Sequence, residues 1–197
     1  MILNLLNALA VSFDLPILDW IQAHLQCGLL DILMPIITLF GEDGIFWIAC
    51  AVLLLILKKH RKTGLAMAFA LIMGLVVCNM TLKPLIGRIR PYDFQAQNYG
   101  ITIKLLVDGL HDYSFPSGHT IASFEAATVL LLNNKKLGIP AMILACLIAF
   151  SRLYLYVHYP TDVLVSIVLG IGIAFLANWL AGLCFRKFKK GKFEKKA

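Results

Sequence analysis

The sequence predicts an all-α fold: a polytopic transmembrane helix bundle of five to six membrane helices, preceded by an amino-terminal interfacial helix. Three observations carry this expectation. Of 197 residues, 60% are hydrophobic and 15% charged, against roughly 45–50% and about 25% in soluble domains. The mean hydropathy is +0.82. The apolar residues also come in long runs rather than in the one-sided stripes of soluble helices.

Residues 1–28 read as an interfacial segment. Met1 to Phe13 is apolar, without a basic leader or a small-residue cleavage site, and is expected to be retained. Leu15, Ile17, Leu18, Ile21 and Leu25 then recur at helical spacing, with Asp14, Asp19, Gln22 and Gln26 on other faces. Leu29–Phe40 is short and contains Pro35, so it reads as a re-entrant or tilted segment and the sixth candidate span. Five runs come after it: Gly44–Leu57, Thr63–Leu82, Thr120–Leu132, Leu137–Val157 and Asp162–Phe185. A full crossing needs about 20 residues. The two shorter runs, Gly44–Leu57 and Thr120–Leu132, qualify if polar neighbours extend them. No repeat or linker interrupts the chain, so 1–197 is expected to be one domain.

The net charge of +7 does not point to nucleic acid, because of where the charges lie. Seven of the 18 Lys and Arg fall in the 186–197 tail, and six more fall in Lys58–Lys62 and Lys135–Lys136. Such clusters flank apolar runs as cytoplasmic anchors do. The tail is therefore placed inside, and the 83–119 stretch and the turn at His158 outside. The five Cys have no metal-like spacing and read as small buried hydrophobes.

Lys83, Arg88, Arg90, Lys104 and Arg152 oppose that charge pattern and call for a local reason. Lys83 and Arg90 stand seven residues apart, about two helical turns, so a helix would put both on one face. Two cations at the mouth of a bundle are costly unless an anion meets them. Arg88 lies off that face and reads as part of a basic collar reaching for headgroups. Pro116-Ser117-Gly118-His119 precedes a helical run. Ser117 suits the N-cap, Gly118 lets an anion approach the backbone, and free amides at a helix start bind phosphate oxygens. His119 could donate a proton there. Ser151-Arg152 is followed after five residues by His158, then by Asp162. A carboxylate–imidazole contact across that turn would fix the ring's tautomer. Its other nitrogen could attack phosphorus while Arg152 holds oxygens in fork geometry.

The three stretches together resemble the type-2 phosphatidic acid phosphatase superfamily of membrane lipid phosphatases. The family's pattern is Lys-x6-Arg-Pro, Pro-Ser-Gly-His and Ser-Arg-x5-His-x3-Asp, and all three parts match in order. The resemblance implies that His158 is the nucleophile that becomes phosphohistidine, Asp162 its orienting partner and His119 the general acid. It implies a phosphate pocket of Lys83, Arg90, Ser117, Gly118 and Arg152. No metal and no cofactor are implied. The expected partners are membrane lipids and a lipid phosphate or diphosphate substrate. The compact chain looks like bacterial members, which favours undecaprenyl diphosphate, with phosphatidylglycerol phosphate or phosphatidate as alternatives. A lipid-binding or transport protein reusing the bundle is the competing class, and vanadium haloperoxidase chemistry is a third. Glu125, two turns into a membrane helix, reads either as a substrate or proton-path group, or as a residue that faces the headgroup region or hydrogen-bonds within the bundle. The 92–115 stretch reads either as a lid or as a solvated structural loop.

Overall fold

The structure, a computed structural model, describes residues 2–194, with side chains as far as Arg186. The basic side chains of the tail after Arg186 lie outside the described residues. The order is α1 (Ile2–Leu9), α2 (Leu15–Leu25), α3 (Gly28–Leu39), α4 (Ile45–Ile56), α5 (Arg61–Leu75), α6 (Lys83–Ile86), α7 (Pro91–Tyr99), α8 (Gly118–Asn133), α9 (Lys135–Tyr154) and α10 (Pro160–Glu194). Among the described residues there is no strand.

Five stretches are long and apolar enough to cross a membrane: Ile2–Leu25, Gly28–Ile56, Arg61–Tyr99, Lys135–Tyr154 and Pro160–Arg186. The chain is a multi-pass membrane protein. Its packing adds a distinction that hydropathy cannot make. The main core is built by α4, α5, α8, α9 and α10, from Trp47, Met67, Phe124, Val129 and Ile148 among many alanines. Residues 2–25 pack elsewhere. Their buried stripe, Leu15, Leu18 and Ile21, rests on Phe94, Tyr156, Tyr159 and the Tyr154–Val157 turn. They cover one end of the bundle.

Helix α8 has only 16 residues, short for a crossing. It nevertheless packs against α5, α9 and α10 and is buried along most of its length. Polar ties register it: Trp47 Nε1 donates to Ser123 Oγ at 3.1 Å, and Asn133 Nδ2 to Asn178 Oδ1 at 2.8 Å. Small residues bring the backbones close, since packing rather than water exclusion holds helices together in lipid. A Cβ on Gly138 would collide with the backbone of Leu131.

Alternate helix ends then converge. The carboxyl end of α9 and the amino ends of α4, α8 and α10 meet at one pole, with the chain from α5 through α6. Lys58–Lys62 and Lys135–Lys136 occupy the opposite pole.

Gly138→Ala forces α8 and α9 apart and should destabilise the protein by about 1–3 kcal/mol. Gly172→Ala, whose Cβ meets nothing within 4 Å, should be neutral or stabilising. Thermal unfolding of both variants in detergent checks this.

Candidate active site

Lys83 and Arg90 meet, but not along one helix face. Helix α5 runs on through a π-helical stretch, Val76–Leu82, into the four-residue α6. Such bulges shift the register of the residues beyond them. The helix stops at Gly87, which takes a left-handed φ of 64°, a conformation glycine adopts without steric cost. Arg90 is extended, and Pro91 opens α7. The turn, not a two-turn spacing, brings the cations together. Both grip Asp112: Lys83 Nζ takes one carboxylate oxygen and Arg90 Nη2 the other. Arg90 Nε also donates to the Asp112 carbonyl at 3.0 Å. Partial burial of Asp112 opposes ionisation, but the two cations override it and hold its carboxyl at about 2.

Arg88 is not a collar residue. It is fully buried. Its Nη1 donates to Asp162 Oδ1 at 2.5 Å and its Nη2 to Asp14 Oδ2 at 2.8 Å. The guanidinium carbon also sits 3.6 Å from the Tyr159 ring centroid. Off the Lys83–Arg90 line, it points inward because two carboxylates await it there. Asp14, read on a polar face of the amino-terminal helix, is buried for the same reason and also accepts from Thr161 N at 2.9 Å.

His158 hangs on a tight turn after α9. Val157 N donates to Arg152 O at 3.2 Å, and Tyr156 takes φ +60°. That left-handed position at a helix end usually belongs to glycine. Here the buried Tyr156 ring is held by its hydroxyl, which donates to Asp19 Oδ1 at 2.6 Å and accepts from Gln95 at 3.0 Å. The turn folds His158 back beside Arg152. Arg90 Nη1 lies 3.3 Å from His158 Nε2. An arginine only donates, so Nε2 carries the lone pair and Nδ1 the proton. Nδ1 faces Asp162 Oδ2 at 3.5 Å, beyond a good hydrogen bond. Asp162 is otherwise fixed, accepting from Ser114 Oγ and from Tyr159 N at 3.1 Å. Burial, reinforced by Arg90, Arg152 and Lys83, holds the His158 imidazole well below the usual histidine range. The neutral form of the ring is thereby favoured, with the Nε2 lone pair facing Arg90.

Arg152 is buried and donates from Nη1 to Thr38 Oγ1 at 2.5 Å. Among the described residues no carboxylate lies within salt-bridge distance of it. Ser117 occupies the N-cap position of α8 without a side-chain cap. Its amide is not free, since it donates to Ser166 Oγ at 2.8 Å. The amides from Gly118 onward are the ones a helix start leaves without a carbonyl partner. His119 lies next to them, and its Nε2 is 3.2 Å from Glu42 Oε2.

Lys83, Arg90, Gly118, His119, Arg152 and His158 line one cavity of about 750 Å³. It continues between α4 and α5, along Ile48, Val52, Leu55, Leu71, Ile72 and Leu75. Ile48, Val52, Ile72 and Leu75 are also exposed on the bundle's flank, so the cleft opens sideways. Glu125 lines it too, buried, with one carboxyl oxygen lacking a hydrogen-bond partner. Among the described residues no group of three His, Cys, Asp or Glu is arranged to hold a metal ion.

The cation cluster, the paired imidazoles and the helix start all fall within residues 63–186, the stretch that matches the model of the PAP2 superfamily. The chain belongs to the PAP2 superfamily. It is 35% identical over 168 residues to an undecaprenyl-diphosphatase of Sulfolobus acidocaldarius, covering 85% of this chain and 78% of that one. The crystal structure of Aquifex aeolicus LpxE superposes with a TM-score of 0.69 at 26% identity, covering 83% and 93%. That of the PAP2 type phosphatidylglycerolphosphate phosphatase from Bacillus subtilis gives 0.61 at 27%, covering 79% and 78%.

Sequence reasoning missed Asp14, Thr38, Glu42, Asp112 and Ser114. The first three precede the PAP2 match, and each serves a residue within it: Arg88, Arg152 and His119. The 92–115 stretch is tied down, because Tyr92 Oη brackets Leu110 by donating to its carbonyl at 2.8 Å and accepting from its amide at 3.0 Å. Phe94 is buried and Leu105 packs with it against the amino-terminal helices.

Arg88→Met strands two buried carboxylates and should cost about 3–5 kcal/mol. Adding Asp14→Asn should recover part of the loss in the same unfolding assay. Asp112→Asn removes the anion that holds Lys83 and Arg90. It should tighten inorganic phosphate binding on the order of tenfold, about 1.4 kcal/mol, read as a phosphate-dependent thermal shift.

Proposed function

We propose that this PAP2 enzyme hydrolyses a lipid diphosphate, undecaprenyl diphosphate first among candidates, through a phosphohistidine on His158. The observation that carries the reading is the shared cavity. A neutral imidazole with its lone pair toward the cations and a second imidazole at a helix start stand over a cleft of apolar walls. The headgroup fits the mouth, and the isoprenoid chain fits the sideways cleft between α4 and α5. The likeness to the Sulfolobus relative supports the diphosphate. The likeness to the Bacillus structure supports phosphatidylglycerol phosphate as the second reading, with phosphatidate beside it.

In this reading His158 Nε2 attacks the terminal phosphorus in line. Asp162 steadies the Nδ1 proton as positive charge grows on the ring. Lys83, Arg90 and Arg152 take the phosphoryl oxygens after displacing Asp112, and the Gly118 amide adds a backbone donor. His119 protonates the departing oxygen, then accepts a proton from the water that cleaves the phosphohistidine. Ser117 contributes by shaping the helix start, since its amide is engaged by Ser166. The three cations supply the charge that Mg²⁺ brings to other phosphoryl transfers, so the proposed reaction is metal-independent.

The basic pole is placed in the cytoplasm with the carboxyl terminus, and the site on the outer side. The whole chain is taken as one domain. Impermeant labelling in intact cells should reach Lys104 and spare Lys135, and equal labelling would overturn this orientation.

Purified enzyme in detergent with EDTA should show its highest specificity constant on undecaprenyl diphosphate within a panel that includes phosphatidylglycerol phosphate and phosphatidate. His158→Ala should abolish turnover. His119→Ala should lower it by about 10²–10⁴, the worth of a general acid. Full activity in His158→Ala would overturn the assignment. Because burial holds His158 low, its protonation removes activity only below the ordinary histidine value of about 6.5. An acid limb of kcat/KM above that pH would contradict a neutral His158 nucleophile.

A further inference from the structure

The segment Thr38–Gly44, ahead of the PAP2 match, forms a wall of the site. Its turn is built from Gly41 N to Thr38 O at 2.9 Å and Gly44 N to Gly41 O at 3.3 Å. Asp43 and Gly44 come next in left-handed conformations, φ 47° and 66°. Short polar residues and glycine tolerate that region. The result sets the Glu42 carboxylate against one ring nitrogen of His119. The backbone presses on the same ring: a Cβ on Gly41 would lie 2.8 Å from His119 Cδ2 and 2.9 Å from Ile148 Cγ2. The His119 side chain is 13% exposed and that of Glu42 47% exposed. The acid thus reaches in from the rim to a ring already clamped by packing. Thr38, one turn earlier, holds Arg152.

We propose that Glu42 is a positioning residue for His119, binding its Nε2–H so that Nδ1 is the nitrogen that exchanges the catalytic proton. The proposal rests on His119 being the general acid. In the first step the His158 Nε2–P bond forms and the bridging O–P bond breaks. The leaving oxygen takes the Nδ1 proton, and His119 becomes neutral with Nε2–H still held by Glu42. In the second step a water oxygen bonds to phosphorus and the N–P bond breaks. The water's proton goes to Nδ1, which restores the imidazolium. Burial disfavours that imidazolium and holds the ring below the usual histidine range, helped by Arg152 from α9 and Lys83 from α6, and the Glu42 carboxylate is the group that works the other way. Asp43, Arg90, Asp112, Glu125 and His158 line the same cavity.

An ordinary stabilising ion pair would make a different prediction, and leaving-group basicity separates the two. Farnesyl diphosphate expels a weakly basic phosphate ester. Farnesyl monophosphate expels a strongly basic alkoxide that needs the proton. Values of kcat/KM report the first chemical step for both, on the same hydrocarbon. His119→Ala should lose far more on the monophosphate than on the diphosphate. Glu42→Ala should show the same bias, with a loss on the order of 10- to 100-fold on the monophosphate, a fraction of what a general acid supplies. Glu42→Gln, which keeps size and one acceptor oxygen, should fall between. On the diphosphate alone, the basic limb of kcat/KM should move to lower pH in Glu42→Ala, because the imidazolium has lost its carboxylate.

If His119→Ala shows no bias between the two esters and no change in the basic limb, the general-acid reading itself fails. If His119→Ala behaves as expected while Glu42→Ala and Glu42→Gln lose equally on both esters, or not at all, with the basic limb unmoved, the Glu42 proposal is overturned.

Discussion

One buried cation holds the site end together. Arg88 lies between Asp14 from the amino-terminal helices and Asp162 from the start of α10. A buried charge with one partner removed is strongly destabilising, so each carboxylate constrains the others. Asp162 is thereby fixed beneath His158, and residues 2–25 are fixed across the pole they cover. The pairing does not add much net stability over an apolar packing of the same volume. Its value lies in geometry, because it leaves few places for the imidazole to go.

The remaining charges obey the same constraint. Lys83 and Arg90 converge at one pole of the bundle, and Asp112 answers them there. Arg152 has only a hydroxyl partner among the described residues. A phosphate group would satisfy all three at once, exchanging one carboxylate for an anion of higher charge. Burial and positive neighbours hold His158 well below the usual histidine range, so in the proposed mechanism one cluster both draws the substrate and prepares the nucleophile.

The sequence showed the motif residues because their spacings are local. It showed the bundle helices because their apolar runs stand out, although the helix of the Thr120–Leu132 run is not among the stretches long and apolar enough to cross. Arg88 was misread because helical periodicity was carried past Ile86, where Gly87 ends the helix. Ser117 is expected in the phosphate pocket, but its amide donates to Ser166, 49 residues away and beyond any local spacing. Asp14, Thr38 and Glu42 were out of reach for the same reason: their contacts span 147, 114 and 77 residues. Only the packing of α3 and the amino-terminal helices against the bundle joins them. Composition suggested an interfacial amino terminus. The structure gives a stretch that is apolar enough to cross, yet packed on the pole that carries the site.

The proposed chemistry depends on which atom receives the phosphoryl group. Enzyme mixed with substrate labelled in the terminal phosphate and quenched in alkali should retain label that acid releases, as expected for phosphorus bonded to a ring nitrogen. Mass mapping should place it on His158. Label on His119 or on a hydroxyl, or turnover with no retained label when hydrolysis of the intermediate is slowed, would contradict the mechanism.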